Sequence, residues 1–371
     1  MCGRKENMKE KIKYWSPIHI LEYNAKYNIV IGERSNGKTY GTLKYGLEQY
    51  FKDGSEMAII RRWEEDFKGK RGQNMFSALV ENGLVTKLSG GKYNTIVYRS
   101  YRWYLGFYDE ETAKTETAEN PFCYAFALTQ SAHDKSTSYP RVRLIIFDEF
   151  LDRNGYLNTE FILFCNLLST IIRFRDDVTI FMLGNTVNKS CPYFQEMGLS
   201  NIKNMKQGSI DLYQYGDSGL TVAVEYCGNI AKNKKSDVYF AFNNPALNMI
   251  TKGSWELELY PHNPYKNVPN DIKFIYFIEF EGELLQCEVV IADNITYTFI
   301  HPKTTPIKNE DKDLIFTLEY NPQLNYRRNI LKPQTKVDEK ILWYFKNDRV
   351  YYSDNETGEV VRNYLMNCKK G

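Results

Sequence analysis

Eight residues between positions 32 and 39 have the types and the spacing needed to bind phosphate. They read Gly-Glu-Arg-Ser-Asn-Gly-Lys-Thr, which fits the P-loop pattern G-x-x-x-x-G-K-[ST]. Glycines let backbone N–H groups point towards phosphate oxygens, and the start of a following helix adds partial positive charge. The alternative is an ordinary glycine-rich turn. We predict a nucleotide-binding loop whose residues are Gly32, Glu33, Arg34, Ser35, Asn36, Gly37, Lys38 and Thr39.

Three side chains of this loop have distinct predicted roles. Lys38 would bridge the β- and γ-phosphates of ATP, and the Thr39 hydroxyl would hold Mg²⁺. Arg34 has two possible roles: it could sense the γ-phosphate within its own chain, or it could pair with Glu33 or a surface acid and take no part in catalysis. Both possibilities stay open at the level of sequence.

A second motif supplies two adjacent carboxylates after an apolar run. Residues 143–150 read Arg-Leu-Ile-Ile-Phe-Asp-Glu-Phe, which is typical of a buried parallel strand that ends in Asp-Glu, the Walker B pattern. Asp148 would bind Mg²⁺ through water, and Glu149 would polarise the attacking water. A surface Asp-Glu turn is the alternative, but a P-loop upstream favours the catalytic interpretation.

The elements around these motifs alternate between strand and helix. Apolar runs at 29–31, 57–60, 144–147 and 178–183 read as core strands, while 39–52 and 161–174 read as helices. This alternation predicts an α/β fold with a mostly parallel sheet. Asn185 follows the run at 178–183, where it could touch the γ-phosphate or the lytic water. Arg61 and Arg62 end another strand, either on the ligand-facing rim or as a solvated strand end.

Composition narrows the class of protein. The chain has 371 residues, 43% of them hydrophobic, which is enough for two or three domains with a large core. Its 48 basic and 46 acidic residues give a net charge of +2, so any contact with DNA must come from local patches. Seven cysteines without a C-x-x-C pair predict a reducing cytosol and no zinc site. No apolar run is long enough to span a membrane, so we expect no membrane partner.

The rest of the chain is less regular. We expect a hairpin over 85–107 that turns at the glycine pair of 89–92, and an exposed loop at 109–120. The polar, glycine-containing stretch 198–228 reads as a linker or small connecting subdomain. It would divide a P-loop domain at 1–197 from an α+β domain at 229–371. In that second domain we predict strands at 238–242, 273–281, 283–292 and 295–301, and helical or mixed structure at 338–346 and 359–367.

Taken in order, these motifs resemble the DNA-packaging ATPase of φ29-like bacteriophages. The resemblance rests on residues 32–39, 60–62, 129–140, 145–150, 173–178, 184–185 and 191–194. It implies a P-loop ATPase of the additional-strand ring type, related to terminase large subunits, that drives double-stranded DNA into a procapsid. It also implies that the C-terminal domain resembles an inactivated RNase H-like nuclease. Acids such as Asp237, Glu279, Glu281, Glu283 and Asp293 form no convincing two-metal set, so we predict no nuclease.

The resemblance also implies partners and a further catalytic group. Arg173 matches the arginine that such ATPases insert into a neighbouring subunit's site, and Arg175 is the second candidate; a solvated cation at a helix C-terminus is the alternative. We therefore expect ATP and Mg²⁺ as cofactors, a homo-oligomeric, pentameric ring, and a procapsid portal or connector with or without a structural RNA. The protein would act in the host cytoplasm while docked on the procapsid. A nucleotide-dependent regulatory or partitioning switch is the rival function, and a nucleotide kinase is disfavoured because no arginine-rich lid follows the P-loop.

Overall fold

The computed structural model describes residues 14–130, 137–153, 155–186, 189–228, 259–263, 269–292 and 295–369. The chain divides into two compact units, Met1–Trp255 and Glu256–Gly371. Within the described ranges, no helix is both long enough and apolar enough to cross a membrane. The predicted strand at 238–242 and the acids Asp237 and Asp293 lie outside the described residues.

A mixed sheet forms the centre of the first unit. Its described strands are β1 Tyr27–Gly32, β2 Glu56–Arg61, β3 Thr95–Arg99, β4 Arg102–Asp109, β5 Lys114–Thr117, β6 Cys123–Ala127, β7 Val142–Asp148, β8 Thr179–Asn185, β9 Ile210–Tyr215 and β10 Leu220–Tyr226. They are ordered β3-β4-β6-β2-β7-β8-β1-β10-β9, and β5 pairs with β4. The six strands from β6 to β10 in this order are parallel, which confirms the predicted mostly parallel α/β fold.

Helices cover both faces of this sheet. They are α1 Ile18–Leu21, α2 Lys38–Asp53, α3 Lys70–Gln73, α4 Ser77–Glu81, α5 Leu84–Leu88, α6 Glu160–Ile172 and α7 Pro192–Glu196. Short 3₁₀ turns lie at Glu64–Phe67, Asn74–Phe76, Leu128–Gln130, Ser200–Asn204 and Gly216–Ser218. Because strand side chains alternate between faces, Ile29 and Ile31 pack with α6 and α7, while Val30 packs with α2. Each face therefore has its own buried core.

The strand order places β8 between the P-loop strand β1 and the carboxylate strand β7. Both neighbours of β8 run parallel to it, in register from Tyr27 opposite Ile180 and from Leu144 opposite Thr179. This insertion is the additional strand that the sequence resemblance implied. Since parallel strands share one carboxyl edge, the P-loop, Asp148 and Asn185 meet at the same edge of the sheet.

Three of the sequence predictions for the first unit are wrong. The expected exposed loop at 109–120 contains β5, which pairs with β4 as an antiparallel strand. The turn between β3 and β4 lies at Ser100 and Tyr101, both with positive φ, whereas the glycine pair Gly90 and Gly91 follows α5. Residues 198–228 are not a linker, because β9 and β10 complete the central sheet and β10 pairs directly with β1. Their glycines and polar residues resemble a linker in sequence, but residues 222–226 of β10 are buried.

The second unit has a separate α+β core. Its described strands are β11 Ile272–Phe280, β12 Glu283–Ala292, β13 Ile295–Pro302, β14 Ile315–Thr317, β15 Tyr326–Arg327 and β16 Val350–Tyr352, with helices α8 Lys336–Lys346 and α9 Asn355–Cys368 and a 3₁₀ turn at Pro269–Asp271. The sheet order is β15-β14-β11-β12-β13-β16. The hairpin of β11 and β12 and the strand β13 confirm the predictions, and residues of α8 and α9 pack on the sheet.

Candidate nucleotide-binding site

The loop between β1 and α2 has the conformation that its glycines and small residues permit. Gly37 has φ +88° and Ser35 has φ +63°, so the backbone turns sharply before α2 begins at Lys38. The ring of Tyr14 packs so closely over Gly37 that a Cβ added at residue 37 would lie 2.9 Å from the ring. The backbone N–H of Trp15 also donates to the Asn36 carbonyl at 3.1 Å, so the segment before α1 supports the loop.

Lys38 is buried at the centre of this loop. Its ammonium donates to the Glu33 carbonyl at 2.7 Å, to Asn36 Oδ1 at 3.2 Å and to Asn185 Oδ1 at 3.3 Å. Burial lowers the pKa of Lys38 to about 8, although Asp148 and Glu33 act to raise it. A buried cation held only by neutral oxygens is poised to exchange them for phosphate oxygens.

The predicted metal ligands contact each other across the sheet edge. Thr39 Oγ1 donates to Asp148 Oδ1 at 2.9 Å. The other oxygen of Asp148 accepts from Arg61 Nη2 at 2.6 Å, and Arg61 Nη1 donates to Glu149. Burial acts to lower the pKa of Arg61, but Asp148 and Glu149 outweigh it and raise the pKa. Arg61 thus joins both Walker B carboxylates.

Arg62 has a different environment, although it is the next residue. Its guanidinium is 3% exposed and makes two hydrogen bonds to Glu160, from Nε at 2.8 Å and from Nη2 at 2.9 Å. Nη2 also donates to the Phe150 carbonyl at 2.7 Å, and Tyr193 donates to Glu160 at 2.9 Å. Arg62 therefore fixes the segment after β7 to the start of α6. The expectation of a solvated strand end is wrong for this residue.

The two candidate arginine fingers lie away from this site in their own chain. They follow α6, which leads from the carboxyl side of β7 to the amino end of β8, so they lie at the opposite edge of the sheet. The 13 residues of α6 span about 20 Å. Arg175 is held by Tyr139, Ile171 and Asp177, whereas Arg173 donates to the Thr137 carbonyl at 3.1 Å.

A pocket of about 610 Å³ collects most of the predicted site residues. Residues 34–39 line it together with Asp148, Glu149 and Asn185. Gly32 and Glu33 support the loop through their carbonyls, which accept from Lys38. Arg61, Arg62 and Trp63 also line the pocket. The sequence signalled the arginine pair by its place at a strand end, but it did not indicate Trp63 or the support from Tyr14.

The sheet order, the loop and the paired carboxylates define a P-loop NTPase of the additional-strand class. A family model described as Podovirus DNA encapsidation protein (Gp16) matches residues 9–93 and 116–217, just over half of the chain. The chain belongs to this family. The unmatched interval between these two ranges contains β3 and β4.

Individual relatives agree with the family. The chain is 28% identical over 188 residues to the DNA packaging protein of Bacillus phage phi29, which is 50% of each chain. It is 29% identical over 185 residues to the DNA packaging protein of Bacillus phage B103, covering 48% of this chain and 50% of the relative. The matches therefore span about half the length of these curated relatives.

Two solved structures share the fold over nearly the whole chain. One is the bacteriophage Phi-29 viral genome packaging motor assembly, with a TM-score of 0.58, 20% identity and coverage of 96% of this chain and 98% of that chain. The other is the Phi-28 gp11 DNA packaging motor, with a TM-score of 0.52, 18% identity and the same coverage. At these identities the likeness concerns the fold alone.

Proposed function

We propose that this protein is an ATP-driven motor that moves double-stranded viral DNA into a procapsid. The observation that carries the proposal is the contact between Thr39 and Asp148, because it unites the P-loop and the Walker B strand into one site for a nucleotide with its metal. Membership of the DNA encapsidation family indicates that the substrate is DNA. DNA contacts in such a motor are directed mainly at phosphates, so they would tolerate any sequence and weaken with salt.

The donor set at this site fits ATP with Mg²⁺. Thr39 offers a hydroxyl oxygen and Asp148 a carboxylate oxygen, and hard oxygen ligands of this kind suit Mg²⁺ when phosphates complete the coordination. The bound metal would neutralise charge on the β- and γ-phosphates. Lys38 would exchange its carbonyl partners for phosphate oxygens, and Asn185 would contact the γ-phosphate or the lytic water.

Glu149 would polarise the attacking water once Arg61 releases it. The side chain of Glu149 is 61% exposed. Glu149 has φ +58°, so the backbone leaves the extended path of β7 at this residue. In the structure its carboxylate pairs with Arg61, so the activation of water requires that this pair open. Asp148 must likewise give up its bond to Arg61 to serve the metal. Binding of ATP with Mg²⁺ would separate Arg61 from both Glu149 and Asp148.

We further propose that the protein acts as a homo-oligomeric, pentameric ring in which Arg173 completes the site of a neighbour. Arg175 is the less favoured finger because three groups of its own chain hold it. A guanidinium inserted from a neighbour stabilises charge on the transferring phosphate and can be worth ~10³ or more in rate. Mixing inactive Arg173→Ala and Glu149→Gln subunits tests this role, because mixed rings regain complete interfaces. Mixtures without turnover would exclude a shared site.

The remaining partners are also proposals. The ring would dock on the procapsid portal or connector, with or without a structural RNA, in the host cytoplasm. The second unit would resemble an RNase H-like nuclease without activity. Burial raises the pKa of Glu279 on β11, and the nearby Glu319 and Glu310 add to this effect. Cleavage of duplex DNA by the purified chain with Mg²⁺ or Mn²⁺ would contradict the absence of nuclease activity.

ATP hydrolysis measured with and without duplex DNA and procapsids tests the motor as a whole. We expect turnover to rise with DNA, to rise further with procapsids, and to yield phosphate without a phosphorylated small product. Glu149→Gln is the matched inactive control, because it keeps the size of the side chain and removes the carboxylate. Turnover that ignores both DNA and procapsids would contradict the proposal.

A further inference from the structure

The turn after α6 exposes a large apolar side chain between the two candidate finger arginines. Phe174 is 106% exposed, the highest value for a large hydrophobic residue in the described part of the chain. Single exposed apolar residues are common on protein surfaces, so exposure alone has no functional meaning. The turn that carries Phe174 also has an unusual backbone conformation, with a positive φ at Arg173.

This turn is of a type that normally requires glycine. Arg173 has φ +55° and ψ −117°, and the Arg175 N–H donates to the Ile172 carbonyl at 3.2 Å. These are the features of a type II′ turn, whose first central residue is usually glycine. An L-residue at this position stores backbone strain, and such strain is concentrated at functional sites. The strained turn therefore holds Arg173 and Phe174 next to each other at the surface.

The base of the turn is firmly held. Arg175 donates to the carbonyls of Tyr139 at 3.1 Å and Ile171 at 3.2 Å, and it forms an ion pair with Asp177 at 3.1 Å. These bonds tie the turn to the segment before β7, to α6 and to the segment before β8. Because its base is fixed, the tip carrying Phe174 has little freedom to fold back onto its own subunit.

We propose that Phe174 docks against Trp63 of a second copy of this chain and thereby positions Arg173 in that copy's nucleotide site. The inference rests on the proposed role of Arg173 as a finger in trans. Consecutive Cα atoms are about 3.8 Å apart, so an Arg173 that reaches the neighbour's phosphate would bring Phe174 close to the rim of the neighbour's pocket. Phe174 is then a positioning residue, not a catalytic one.

Trp63 is the aromatic residue at the appropriate part of that rim. It is 43% exposed, lines the pocket and directly follows Arg61 and Arg62. It therefore lies on the Walker B side, near Glu149, where the γ-phosphate of a bound nucleotide would lie. Two other aromatic residues near the loop, Tyr14 and Tyr40, pack against each other with ring centroids 5.5 Å apart. Tyr14 also covers Gly37, at the other side of the loop. The proposed pair of Phe174 and Trp63, flanked by arginines, has the composition of an interface hot spot. A head-to-tail contact of this kind builds a ring when the rotation between copies closes.

The test measures ATP turnover against protein concentration for the full chain. We expect Phe174→Ala to raise the concentration that gives half-maximal turnover by about tenfold or more, the effect of losing a hot-spot contact. Nucleotide binding by the dilute protein should stay unchanged, because Phe174 lies outside the pocket. Leu212→Ala is the matched control, since Leu212 is 49% exposed on the edge strand β9. It should leave the half-maximal concentration unchanged.

A double-mutant cycle identifies the partner of Phe174. Trp63→Ala should produce a similar shift, and the double variant should be little worse than either single variant. If the two shifts multiply, the residues act independently and the docking pair is excluded. Equal concentration dependence of Phe174→Ala and the wild type would overturn the inference while leaving the ring intact. Turnover of the wild type that does not depend on concentration would instead contradict the ring itself.

Discussion

Replacement of Arg173 by glycine should stabilise the fold and abolish turnover. The residue occupies a backbone conformation, φ +55° and ψ −117°, that costs a residue with a Cβ about 1–3 kcal/mol. Glycine removes this strain, but its greater freedom in the unfolded chain costs about 0.4–1 kcal/mol. The net gain is roughly 1 kcal/mol, which corresponds to a rise in Tm of about 2–4 °C for a unit of this size.

Arg173→Ala is the matched control for this prediction. Both variants lose the guanidinium and its exposed hydrogen bond to the Thr137 carbonyl, but alanine keeps the Cβ and therefore the strain. We expect thermal unfolding of the glycine variant to occur at a higher temperature than that of the alanine variant, with ATP turnover lost in both. If the alanine variant is as stable as the glycine variant, the turn is not strained. If the glycine variant still hydrolyses ATP at the wild-type rate, Arg173 is not the finger.

Three further predictions concern the site itself. Burial lowers the pKa of Lys38 to about 8, so its charged fraction and the affinity for ATP should fall about tenfold per pH unit above pH 8. Calorimetry in two buffers should detect the accompanying proton uptake. The nucleotide-free fold should become more stable from pH 8 towards 10.5, because loss of the proton removes the cost of burying the Lys38 charge. Affinity that is constant from pH 7 to 9.5 would contradict this. Arg61→Gln should destabilise the nucleotide-free protein by about 1–3 kcal/mol and increase the rise in Tm caused by ATP with Mg²⁺, because Asp148 loses a cation that the ligand must displace; an unchanged thermal shift would count against it. Glu160→Gln should cost about 3–5 kcal/mol in urea unfolding, far more than Asp152→Asn, because it leaves Arg62 buried without its main carboxylate.

The fold of the first unit could be predicted wherever an apolar run was continuous. Strands β1, β7 and β8 are buried on both faces, so their sequences signal a parallel sheet without ambiguity. Edge strands gave no such signal. In β9, intermediate and exposed residues alternate, and three glycines at positions 208, 216 and 219 surround it, which led to the incorrect linker. The β3–β4 turn was missed because Ser100 and Tyr101 are not typical of a turn with two positive φ angles.

In the site, local motifs were predictable and long-range partners were not. The P-loop and the Asp148-Glu149 pair follow from short patterns whose chemistry fixes their roles. The partner of Arg62 is Glu160, 98 residues away, and no spacing in the sequence connects them. The choice between a solvated and a buried arginine depends on which carboxylate the fold brings near, and that is a property of packing.

Helix α6 physically connects the two halves of the proposed mechanism. Its first residue, Glu160, is 2% exposed and is clasped by Arg62, the neighbour of the arginine that holds Asp148 and Glu149. Its last residue, Ile172, is the first residue of the turn that carries Arg173 and Phe174. A change in the contacts of Arg61 on binding of ATP and Mg²⁺ would therefore occur next to the fixed end of a helix of about 20 Å, whose other end carries Arg173, the proposed finger. A packed element with one end at each site is the kind of physical connection through which one subunit's nucleotide can influence the next subunit's hydrolysis.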